Sequence, residues 1–66
     1  MDPQTRSLLR SEAISSLQFF VTSGIPGYLW KGLDRARVLG VPVAPNARIG
    51  KREAVGNLIV ALVGAK

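Results

Sequence analysis

Histidine and cysteine carry much of the nucleophilic, acid–base and metal chemistry of proteins, and this chain of 66 residues has neither. Catalysis requires a general acid or base of tuned pKa, a nucleophile beside a base, or a bound metal. The four acids, Asp2, Glu12, Asp34 and Glu53, are spread one to a segment. Asp2 and Glu53 stand where helices are expected to begin, and capping accounts for them there. Ser11, Ser15 and Ser16 have no imidazole to activate them. The side chains present point away from an enzyme, and no cofactor or metal site is expected.

Cations are better represented. Arg48-Ile49-Gly50-Lys51-Arg52 sits near the expected start of the last helix, where positive charge opposes the helix dipole. Open amides, a glycine and three cations in that position suit a phosphate group. The plainer reading is a solvated basic turn that keeps an apolar helix in solution, with Glu53 as a partner, and no Walker-type spacing surrounds it. A second group, Lys31, Arg35 and Arg37, falls on the expected second helix near Tyr28 and Trp30. Cations interleaved with aromatics can hold a nucleic-acid backbone while the rings stack on bases; alternatively the two rings anchor the helix in a core. The candidate anion or nucleic-acid contacts are therefore Arg48, Lys51, Arg52, Lys31 and Arg35. Ala36 to Val41 resembles the centre of a helix-turn-helix over six residues. The likeness ends there, because Pro42 and Pro45 occupy the place of the recognition helix.

The elements that must position these residues follow from punctuation and period. Asp2-Pro3 is a helix start, with a carboxylate to cap free amides and a proline that loses nothing at the first turn. A helix is expected over about 3–22, with Leu9, Ala13, Leu17, Phe20 and Val21 on one side and Leu8, Ile14 and Phe19 flanking them. Ser23-Gly24-Ile25-Pro26-Gly27 breaks it. A second helix over about 26–39 carries Leu29, Leu33 and Ala36 on one face and ends at Gly40, with Arg37 near its negative end. Two prolines make 40–46 an extended linker. The last stretch reads as a helix over about 47–64, with Val55, Leu58, Ile59, Leu62 and Val63 buried. The alternative is a β-hairpin turning at Gly56-Asn57. The expectation is an all-α, three-helix unit in one small domain, or two helices plus a C-terminal hairpin.

A chain this short buries only about 60% of the surface its unfolded form exposes. Without cysteine or histidine, disulfides and structural zinc cannot reinforce it. The remaining reinforcement is association, and 47% apolar residues with a mean hydropathy of +0.22 exceed what so small an interior can hide. The first expectation is thus a non-enzymatic assembly or adaptor protein, a structural subunit that packs on a protein partner or on copies of itself, in a large complex or a virion. Its candidate surface is Leu9, Leu17, Phe19, Phe20, Trp30, Leu58, Ile59 and Leu62. Glycines 50, 56 and 64 with Ala54, Ala61 and Ala65 would allow close approach in the same role. Net charge of +5 suits the second expectation, a basic nucleic-acid-binding module. Peripheral membrane binding through the first helix ranks third, because its polar stripe is Ser and Gln where such helices carry Lys and Arg. The N-terminus lacks the basic start and apolar run of a secretory signal, and no stretch reaches the ~20 apolar residues of a transmembrane span. The expected location is the cytoplasm or a particle assembled there.

Overall fold

A computed structural model of the chain describes residues 1–65. Four helices follow in order: α1 Pro3–Ser23, α2 Pro26–Val38, α3 Pro45–Arg48 and α4 Arg52–Gly64. The fold is all-α. There is no strand among the described residues, and the hairpin alternative is not supported, because Gly56-Asn57 lies inside α4. Val55, Leu58 and Leu62 are all buried, a spacing of three and four that only a helix brings to one side.

The ends of the helices obey local chemistry. The Asp2 carboxylate accepts the Thr5 amide at 2.6 Å, with Pro3 in the first turn of α1. At the other end of α1 the Gly24 amide donates to the Phe20 carbonyl at 2.8 Å. Gly40, at φ 80°, closes α2: its amide donates to the Arg37 carbonyl and the Val41 amide to the Ala36 carbonyl, both at 3.0 Å. These two bonds form a Schellman motif, whose left-handed residue is normally glycine.

The linker and last helix differ from the sequence expectation. Pro45 opens the one-turn helix α3, preceded by Ala44 in extended conformation; a proline is well suited to a first helical position. The extended linker therefore ends at Ala44. The helix expected over 47–64 is interrupted by Gly50 at φ 81°, where Gly50 donates to Ala47 and Lys51 to Asn46 in a second Schellman motif. The described residues form four helices where three were expected.

Three pairs set the relation of α1 to α2: Glu12 meets Arg35, Gly32 faces Leu17 and Phe19 stacks on Tyr28. As one number rises the other falls, so the helices run antiparallel. A Cβ on Gly32 would stand 2.5 Å from Leu17 Cγ and 3.4 Å from the Ala13 carbonyl oxygen, so the absence of a side chain lets the fully buried Leu17 seat against the α2 backbone. Helix α4 also packs on α1, and α3 packs on α4. The molecule measures 31 × 19 × 15 Å, and the 21 residues of α1 at about 1.5 Å each account for the longest dimension. The core is Ala13, Leu17, Leu29, Ala36, Leu39, Ala47, Val55, Leu58 and Leu62, three of them alanines that let backbones close in but bury little area.

Candidate functional site

The cations singled out from the sequence separate into four settings. Arg35 leaves the expected basic face: its Nε donates to Glu12 Oε2 at 3.2 Å and its Nη1 to Asp34 Oδ2 at 2.8 Å. It links α2 to α1 and has two carboxylates beside its charge. Lys31, Arg37, Arg48, Lys51 and Arg52 make no ion pair among the described residues.

Arg37 and Arg48 both line a groove of about 260 Å³, with Trp30, Leu33, Asp34 and Val43. Trp30, Asp34 and Arg37 recur at spacings of four and three, so they form one stripe of α2, with Leu33 beside them. Val43 comes from the linker and Arg48 from α3, brought across by the turn that α3 makes. Trp30 is 66% exposed, which excludes the alternative that it anchors α2 in the core. Tyr28 instead stacks on Phe19, ring centroids 5.4 Å apart at an interplanar angle of 24°.

Lys51 lines a different and larger cleft of about 410 Å³ between the linker and α4, with Pro42, Ala44, Asn46, Glu53, Asn57 and Leu58 among its walls. Glu53 lines the same cleft, so the cleft carries a carboxylate as well as a cation. The expected cluster of Arg48, Lys51 and Arg52 is thus divided, with Arg48 facing a different cavity from Lys51. Lys31 and Arg52 are exposed and line neither.

The candidate assembly surface is redistributed as well. Leu17, Leu58 and Leu62 belong to the core, with Leu9, Phe20 and Ile59 half-buried against it. The sequence pattern selects the greasiest side of each helix, and in α1 and α4 that side is consumed by the chain's own interior. Phe19 and Trp30 remain exposed, joined by Leu8, Ile25, Val38, Ile49, Val60 and Val63. Val60 and Val63, exposed by 71% and 62%, continue a stripe of α4 that begins at Gly56. Sequence reasoning missed this stripe because 58–63 is apolar throughout, and no period distinguishes its inner from its outer face. It also left Arg37 out of the anion contacts, although the spacing from Trp30 was available.

No helix among the described residues is long and apolar enough to cross a membrane. The chain matches no protein-family model, no curated protein and no solved structure.

Proposed function

We propose that this chain is a non-enzymatic assembly subunit, whose outer apolar faces are covered by a partner protein or by further copies of itself, in the cytoplasm or in a particle assembled there. The observation that supports this reading best is the outer face of α4. The helix is covered by α1 on one side, while Val60 and Val63 stand in solvent on the other. Fully burying a side chain of this kind contributes about 1.5–3 kcal/mol, a large increment for a chain whose own core is nine residues, three of them alanine. Gly56 adds to the argument. A Cβ there would meet nothing within 4 Å, so the isolated chain has no steric reason for a glycine in mid-helix, whereas a neighbouring helix would approach closely at that point.

Light scattering at low and high salt tests the proposal. The expected result is a species larger than the monomer that persists at high salt and becomes monomeric in the double variant Val60→Asp, Val63→Asp. Both positions are exposed, so circular dichroism should show the fold retained. A wild-type chain that stays monomeric across the accessible concentration range, or an oligomer indifferent to the two aspartates, removes the reading. Phe20 and Leu58 are poor positions for this test, since one is half-buried and the other lies in the core.

A further inference from the structure

We infer that the groove between α2 and α3 binds single-stranded nucleic acid, with one base stacked on Trp30 and the adjoining phosphate held by Arg37 and Arg48. The inference does not rest on the assembly reading. A tryptophan 66% exposed presents a large flat apolar surface to water, and no ring among the described residues stacks on it. Two guanidinium groups from separate elements line the same groove, and neither has an ion pair among the described residues. The groove holds two cations against the one carboxylate of Asp34, which already pairs with Arg35, so it has charge to spare for a bound anion. Guanidinium presents a planar fork of donors that fits phosphate.

The remaining walls suit the same ligand. Leu33 and Val43 supply an apolar floor beside the indole. Asp34 gives one carboxylate oxygen to Arg35, and its other oxygen is an acceptor for a base amino group or a sugar hydroxyl. A flat membrane surface does not reach into a concave site of this kind. At about 260 Å³ the groove is slightly smaller than pockets that enclose a drug-sized molecule, about 300–1,000 Å³, so it takes one unit of a longer chain. A duplex keeps its bases stacked on each other and unavailable to the indole, which restricts the ligand to single strands. Arg52, four residues beyond Arg48 and exposed, adds positive charge along the chain for a strand leaving the site.

Trp30 is the one tryptophan of the chain, so its fluorescence reports the groove directly. The probe is a thymidine oligonucleotide of about twelve nucleotides, within the ~4–16 that small single-strand-binding modules span. Parallel titrations use the matching duplex, thymidine monophosphate at equal nucleotide concentration, and vesicles of phosphatidylglycerol. Expected are quenching by the oligonucleotide, affinity falling with salt at a log-log slope near −0.7 for each phosphate held, and much weaker effects of duplex and mononucleotide. Followed by anisotropy of a labelled oligonucleotide, Trp30→Ala should weaken binding about 5- to 150-fold, the range measured for loss of one stacked base, and Trp30→Phe should restore part of it. The double variant Arg37→Ala, Arg48→Ala should weaken binding and flatten the salt slope. All three side chains are exposed, so circular dichroism is expected to show each variant folded. Absence of quenching, oligonucleotide binding indifferent to Trp30→Ala, equal response to the duplex or mononucleotide, or a response to vesicles alone would each overturn the inference.

Discussion

Gly32 and Leu17 show how much one missing methyl group can carry. A methyl on Gly32 would stand 2.5 Å from Leu17 Cγ and 2.6 Å from Cδ2, and Leu17 has no free space in which to retreat. Gly32→Ala gains helix propensity but overpacks the α1–α2 contact, and overpacking costs about 1–3 kcal/mol. Leu17→Ala alone should cost about 2–5 kcal/mol. In the double variant the new methyl enters the space that leucine vacated, so the Gly32→Ala penalty should vanish; urea denaturation of the four proteins measures the coupling. Additivity within about 0.5 kcal/mol would show that the two residues do not touch. A second comparison separates strain from crowding. Gly40 and Gly50 have nearly the same φ, 80° and 81°, and leaving glycine in the left-handed region costs about 1–2 kcal/mol. A Cβ at Gly40 meets nothing, whereas one at Gly50 meets Phe20 Cζ at 3.0 Å and Leu29 Cδ2 at 3.3 Å. Gly50→Ala should therefore lower the denaturation midpoint more than Gly40→Ala does.

At the scale of elements, α1 has a pH-dependent start. The Asp2 carboxyl is held below its ordinary value of 3.8, first by the Thr5 backbone amide and then by the Thr5 hydroxyl. A carboxyl whose folded pKa is depressed contributes stability that is present above its unfolded pKa and is lost as pH falls through the folded value. The wild type should therefore be more stable than Asp2→Ala at neutral pH, and thermal melts taken from about pH 6 down to about pH 2 should show the two converging. A gap independent of pH would assign the difference to something other than the ionised cap. Helix α4 supplies the opposite kind of test. Gly56→Ala places a methyl in open space and should stabilise the isolated chain by roughly 0.5–1 kcal/mol. If a neighbouring helix packs over Val60 and Val63, the same methyl obstructs it, so denaturation of the dilute chain and light scattering of the concentrated one should move in opposite directions.

The whole molecule combines a small interior with a large apolar exterior. Its long dimension is one helix, and α2 and α4 cover parts of that helix without enclosing it. Ligands or partners that bind only the folded form raise apparent stability by mass action. An assembly subunit should accordingly melt at a temperature that rises with protein concentration, measured over about a hundredfold range, while a chain complete in itself should melt at one temperature throughout. High salt separates the two surfaces again: contacts through Val60 and Val63 should persist, and contacts through Arg37 and Arg48 should weaken.

Helices α1 and α2 were legible in the sequence, because their signals are local. Asp2-Pro3, the breaker around Gly24 and the stop at Gly40 each act through bonds between residues at most five apart, and any chain with those residues meets the same constraints. The position of Trp30 one stripe from Arg37 was legible too. Tertiary structure decided the rest. Pro45 read as linker because its tolerance for a first helical turn is equal to its preference for extended chain, and only packing of α3 on α4 selects the turn. Arg35 read as a basic surface residue until Glu12, 23 positions away, came within 3.2 Å. Leu17, Leu58 and Leu62 read as a surface for a partner because the apolar pattern marks what must be covered without marking by what. Charge and hydrophobicity are properties of a residue, whereas burial and pairing are properties of its neighbours, and those neighbours come from distant parts of the chain.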